Sequence, residues 1–156
     1  MLKFDDIYSC VGGSREELSY ILRDPAELVS RAQNPGSGRH REFTLDEGLK
    51  IALAVLLNRY GFPRRWAKRI AVELAGRFDN ARKRLPHASR LVLQIRDHEA
   101  SSFLWWDEKD GPQPRRTGWM SFDIKRSHAP DGDGLTRLSI EILDIWRSLN
   151  KAENES

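Results

Sequence analysis

FDDIYSCVGGSREELSYILR, residues Phe4 to Arg23, reads as two short helices hinged at a pair of glycines. Residues 4–11 form the first and residues 14–23 the second, with the break at Gly12-Gly13. Ser14 is placed to cap the second helix, and Glu17, three residues on, completes a capping box in which side chain and backbone satisfy each other's free N–H groups. Downstream, the stretch Asn34-Pro35-Gly36-Ser37-Gly38 lies between Leu28-Val29 and the run Arg39 to Phe43. Turn residues between short apolar or extended segments predict a hairpin or wing.

Thr44 is the expected N-cap of a long helix, with Glu47 at the capping-box position. Leu49, Ala52, Leu53, Leu56, Leu57 and Tyr60 recur at helical spacing, and Ile51 and Val55 widen the apolar surface around most of the circumference. Such a helix belongs at the centre of a core. Gly61 ends it, and Pro63 opens the next at a position where a missing N–H costs nothing. In that next helix Trp66, Ala67, Ile70, Ala71 and Leu74 share one side, while Arg64, Arg65, Lys68 and Arg69 share the other.

After Leu85-Pro86 the apolar period changes from helical to two. Leu91, Leu93 and Ile95 alternate, as do Met120, Phe122 and Ile124, and again Leu138 and Ile140. Phe103 to Trp106 is a short apolar run before the turn Asp107 to Gly111. These segments predict up to four short antiparallel strands. Glu141 to Asn150 returns to helical period, with Ile142, Ile145, Trp146 and Leu149 on one stripe, and Lys151 to Ser156 is expected to fray. The fold class is therefore α+β: a helical module over 1–85, then a small antiparallel sheet and a C-terminal helix over 86–156. Trp105, Trp106 and Trp119 are expected to pack the sheet against that last helix.

A chain of 156 residues with 31% charged and 39% hydrophobic residues has an ordinary globular balance. Its net charge of +3 is unevenly spread. Residues 1–90 hold 17 Lys/Arg against 11 Asp/Glu, while residues 91–156 hold 9 against 12. Between 59 and 90 there are ten basic residues and two acids, Glu73 and Asp79. A basic segment on a near-neutral chain points to a polyanionic partner. Cys10 is the only cysteine, which excludes an intrachain disulfide and a cysteine-based zinc site. The seven-residue apolar run Ile51 to Leu57 is far short of a membrane span, and the N-terminus has no apolar signal core, so a cytoplasmic protein is expected.

The first eighty residues resemble the MerR-like winged helix-turn-helix family. The resemblance rests on an ordered set: Phe4, Ile7, Gly12-Gly13-Ser14, Leu18, Tyr20, the turn Asn34 to Gly38, Arg41-Glu42-Phe43, and the acids Asp46 and Glu47 at the start of the long helix. It implies that the second helix lies in the major groove and that the wing grips phosphates or minor groove beside it. On the second helix the implied DNA-facing residues are Arg15, Glu16 and Ser19. Arg41 is the implied wing arginine, with Arg39 and His40 beside it. Three features depart from the family: Glu16 and Glu17 occupy the second helix where basic or neutral residues are usual, Tyr8 stands where the first helix has a small residue, and no long dimerising coiled coil follows.

No catalytic constellation is visible. His40, His87, His98 and His128 have no paired spacing, and Cys10 has no His or Asn nearby in sequence. Asp131-Gly132-Asp133-Gly134 echoes a calcium loop but lacks its remaining ligands, and Asp97, His98 and Glu99 fit a polar strand end. No metal or other cofactor is implied. The expectation is a non-enzymatic, dimeric transcriptional regulator that binds double-stranded DNA. Its positive charge comes from Arg39, Arg41, Arg64, Arg65, Lys68 and Arg69, and its homodimer forms through the C-terminal region. Two alternatives stay open. One is a protein-interaction module on a degenerate helix-turn-helix, such as an antirepressor or phage assembly adaptor. The other is a small-molecule sensor using the sheet and its tryptophans.

Overall fold

The computed structural model describes residues 1–30, 41–96, 100–122 and 137–155. The expected wing turn Asn34 to Gly38, Arg39, His40, the Asp97-His98-Glu99 group, Ile124, His128 and the Asp131 to Gly134 loop lie outside the described residues. Among the described residues the fold is mixed α+β, with five α-helices and a small antiparallel sheet. Its contacts divide it into two compact units: Met1–Arg77 with Ile145–Ser156, and Phe78–Asp144.

In the first unit, α1 (Phe4–Val11) and α2 (Arg15–Ile21) are joined through Gly12, which takes the left-handed conformation at φ 60°. The expected capping box forms: Ser14 Oγ accepts from the Glu17 N–H, and the Glu17 carboxylate accepts from the Ser14 N–H. Thr44 and Glu47 repeat the device at the head of α3 (Leu45–Arg59). Glu47 is buried and does more than cap, because its second oxygen accepts from the Ser30 N–H at 2.8 Å. One carboxylate thus ties the end of the α2 segment to the start of α3.

α3 is buried around its whole girth, from Gly48 and Leu49 through Val55 and Leu57. Gly48 is where the N-terminal strand residue crosses it. A Cβ there would lie 2.5 Å from Leu2 Cδ1 and 3.8 Å from both Ile7 and Leu149. Leu2 and Phe43 exchange both backbone hydrogen bonds as an antiparallel bridge, at 2.7 and 2.8 Å, which returns the chain after residue 40 to the N-terminus. Gly61, at φ 113°, ends α3, and α4 (Arg64–Arg84) follows Pro63, whose carbonyl accepts the first helical bond from Ala67. Ala67, Ile70, Ala71 and Leu74 are buried as expected.

The second unit holds the sheet. Its strands are β1 (Ala88–Arg96), β2 (Ala100–Asp107), β3 (Arg115–Arg116), β4 (Met120–Ser121) and β5 (Arg137–Ile140). The order is β3-β2-β1-β5, with β4 also on β2, and each described pairing is antiparallel. Leu91, Leu93 and Ile95 share one face with Phe103 and Ile140, and all five are buried. β3 is a strand that the alternation did not announce, since Arg115 and Arg116 are both polar. Residues 107–111 form the expected turn as a short 3-10 segment, Glu108–Asp110.

Two expectations are corrected. Trp106 and Trp119 are only partly buried, and Trp106 pairs across the sheet with Arg90 on the face opposite the apolar one, whereas Trp105 lies opposite Leu91 on the apolar face. Residues 151–155 do not fray: α5 runs from Ile142 to Glu155. Leu149 is fully buried inside the first unit, and Glu153 lies 3.9 Å from the N-terminal ammonium, so tertiary contacts hold the last turns. Among the described residues no helix is long and apolar enough to cross a membrane.

Candidate nucleic-acid interface

α2 and the start of α4 together build a cationic surface around an exposed tyrosine. Leu18 and Ile21 bury the inner face of α2, so helical spacing turns Arg15, Glu16, Ser19 and Tyr20 outward, and all four are exposed. Tyr20 is 41% exposed, which is high for a large side chain in this fold. Two guanidinium groups stack on its ring. Arg64 comes from α4 with Cζ 4.9 Å from the ring centre, and Arg23 follows three residues along the chain at 5.5 Å. Arg64 also donates to the Tyr20 carbonyl at 3.3 Å, which fixes α4 against the end of α2. Each stack adds cation–π attraction while keeping the charge at the surface.

Arg65 and Arg69 are exposed further along α4, and Arg69 covers the Trp66 ring at 5.2 Å. Among the described residues, Arg23, Arg64, Arg65 and Arg69 form no ion pair with a carboxylate. Their charge is uncompensated at short range and faces solvent.

Lys68 is different from its neighbours. It is only 4% exposed, and its ammonium donates to the Asp24 carbonyl, with the Asp24 carboxylate at 3.9 Å. A buried ammonium that bonds the chain beyond α2 is a structural tie, and it leaves the surface that the helical wheel assigned to it.

The acids of α2 separate in the same way. Glu17 faces α3, where Arg59 grips it with two donors at 2.6 and 2.8 Å and donates a third bond to the Val11 carbonyl at 2.7 Å. The Arg59 guanidinium holds Glu17 below its ordinary value of 4.5, and Glu17 in turn raises Arg59. Gly13 makes room for this arrangement, since a Cβ there would meet Arg59 Nη2 at 2.5 Å. Glu16 remains exposed. Its carboxylate is held below 4.5 by its own backbone N–H and by the Ser14 hydroxyl, so it folds back on the helix N-terminus. Arg15 is paired to Asp5 at 2.7 Å and is largely neutralised.

The structure brings Arg64 against the exposed face of α2 through Tyr20, leaves Arg65 and Arg69 exposed further along α4, and sets Lys68 apart. Arg41 is half-buried and pairs with neither Asp46 nor Glu47; Asp46 takes Lys50 instead. Sequence reasoning missed Tyr20 and Arg23 as site residues, although their spacing of three on one helix face was a usable signal. Cys10 is half-buried, and burial first and Asp6 second push its thiol up, away from the reactive thiolate. Among the described residues no group of three His, Cys, Asp or Glu side chains is placed to hold a metal. No family model, curated protein or solved structure matches this chain.

Proposed function

We propose that the first unit is a DNA-binding module of the winged helix-turn-helix type, serving a transcriptional regulator. The observation that carries this is the Arg23–Tyr20–Arg64 stack, continued by Arg65 and Arg69 as uncompensated positive charge. A surface of this kind neutralises phosphates, and it adjoins the helix that the family resemblance puts in the major groove. Two further features support the reading. The Leu2–Phe43 bridge is where a wing would return to the N-terminal strand. Glu17, which argued against a groove helix, is turned toward Arg59 and away from the exposed face. The proposed contact set is Arg23, Arg64, Arg65 and Arg69 for phosphates, Arg41 with Arg39 and His40 for the wing, and Ser19, Tyr20, Glu16 and Arg15 nearest the bases.

A homodimer remains part of the proposal, because two copies double the contacts and match two-fold sites. Its interface moves, however. Ile142 and Leu149 of the proposed stripe are fully buried within one chain, which leaves only Ile145 and Trp146 partly open.

One observation favours a second reading, as a protein-interaction module. Exposed Tyr20 lies beside Glu16 and a neutralised Arg15, and a tyrosine flanked by arginines is also a common anchor at protein interfaces. Fluorescence anisotropy with a labelled duplex separates the two. The first reading expects binding that falls about tenfold in Tyr20→Ala with Arg64→Ala. Absence of binding to any duplex at low salt removes the first reading and leaves the second.

A further inference from the structure

The sheet has a second face that the duplex reading does not use. Side chains alternate along a strand, and directly opposed residues share a face, so the register assigns Arg90, Gln94 and Arg96 of β1 to one side with Ser102 and Trp106 of β2. Arg116, opposite Leu104, and Ser139, opposite Gln94, lie on that side too. This is the face opposite Leu91, Leu93 and Ile95. Val92, Ala100 and Leu104 share this side, with Val92 and Ala100 buried, so only part of the face is open. The face carries two indoles, each stacked by guanidinium groups: Arg90 lies 4.3 Å from the Trp106 ring centre, and Arg96 and Arg116 lie 4.7 and 5.1 Å from that of Trp119.

The groups between the indoles are positioned. Arg116 donates to Gln94 Oε1 at 2.8 Å, and Gln94 donates to Ser139 Oγ at 3.4 Å, a chain of bonds that crosses from β3 to β5. Arg90 is balanced by Glu141, but Arg116 is exposed and has no carboxylate partner among the described residues. Ser102, opposite Gln94, is fully buried and lies beneath this surface, out of reach of a ligand laid on it.

We propose that this face binds single-stranded nucleic acid. Flat aromatic rings on a sheet offer stacking platforms for unpaired bases, and arginines beside them take the phosphates between. Duplex DNA does not fit this chemistry, because its bases are already stacked on one another. Trp106 and Trp119 carry the bases, Arg116 the backbone, and Gln94 the polar edge. The surface is separate from the α2–α4 surface and stands or falls independently of it.

The test uses the full chain and a fluorescein-labelled oligothymidine of about twelve nucleotides, which cannot form a duplex and spans a typical binding site. Anisotropy should show binding that weakens with salt, and Arg116→Gln with Trp119→Leu should weaken it about tenfold. Arg116→Gln alone, at an exposed position, should weaken it measurably and keeps the test open if the double variant fails to fold by circular dichroism. Arg64→Ala with Arg65→Ala and Arg69→Ala should leave oligothymidine binding unchanged while it weakens duplex binding. Three outcomes overturn the proposal: no binding of the oligomer at low salt, binding indifferent to Arg116→Gln, or thymidine monophosphate competing as well as the oligomer per nucleotide. The last would mark a small-nucleotide pocket in its place. Loss of duplex binding alone would leave this proposal standing and remove the other.

Discussion

Glu17 carries two jobs that its neighbour Glu16 does not. It caps α2 and it anchors Arg59, which reaches past the bare Gly13 to the Val11 carbonyl. Because the Arg59 guanidinium lowers its folded value, its contribution is present above the unfolded carboxylate value and is lost as pH falls through the folded one. Glu17→Gln should therefore lower stability at pH 7 and match the parent at low pH, where both side chains are neutral. The pair is partly exposed, so the effect at pH 7 is under about 1 kcal/mol, measurable by urea unfolding at both pH values. Glu16→Gln should barely alter stability, yet tighten duplex binding two- to threefold (roughly) by removing a carboxylate from the proposed groove face. Gly12→Ala should cost about 1 kcal/mol, since φ 60° is left-handed and penalises a Cβ. The Ser14–Glu17 box was legible because its spacing is local. The Glu17–Arg59 pair was not, because 42 positions separate its members and only the fold brings them together.

Among the elements, α4 shows where a helical wheel succeeds and where it fails. Its apolar side, Ala67, Ile70, Ala71 and Leu74, is buried as the period required. Lys68 sits with the arginines on the wheel, but its four-carbon stem lets the ammonium turn toward the Asp24 carbonyl, which lies on another segment. Lys68→Ala should then destabilise the fold by about 2 kcal/mol, as expected for losing a buried charge-assisted bond, and change duplex affinity less than about twofold. A larger loss of affinity than of stability would return Lys68 to the binding surface. α3 makes a packing demand of the same kind. Gly48→Val should cost about 2 kcal/mol by overpacking against Leu2, read as a fall in Tm of several degrees. β1, β4 and β5 were legible from alternation, and β2 from its apolar run Phe103 to Trp106. β3 was not, since two arginines have no apolar period, and its pairing comes from β2 and from Thr117, which both donates to and accepts from the Phe103 backbone. The last turns of α5 escaped for a related reason: a polar sequence holds its helix through Leu149 and the N-terminus, contacts that sequence spacing does not carry.

At the scale of the molecule, two surfaces of different chemistry sit on two compact units. One is a cationic helix surface and the other a sheet of stacked arginines and indoles. If two copies occupy one duplex, light scattering of the complex should give two chains of 18.0 kDa per duplex. Trp146→Ala should cost stability more than it costs pairing, because its helix is held within the chain. In the proposed complex Arg23, Arg64, Arg65 and Arg69 neutralise duplex phosphates, with Arg41 at the wing. Five such contacts predict a log–log salt slope of about −4 to −5 between about 50 and 200 mM salt. Arg64→Ala with Arg65→Ala and Arg69→Ala removes three of them, and a slope of about −2 with affinity reduced on all duplex sequences alike is the predicted result. A parent slope near zero, or a triple variant whose slope and affinity equal the parent's, would contradict the claim.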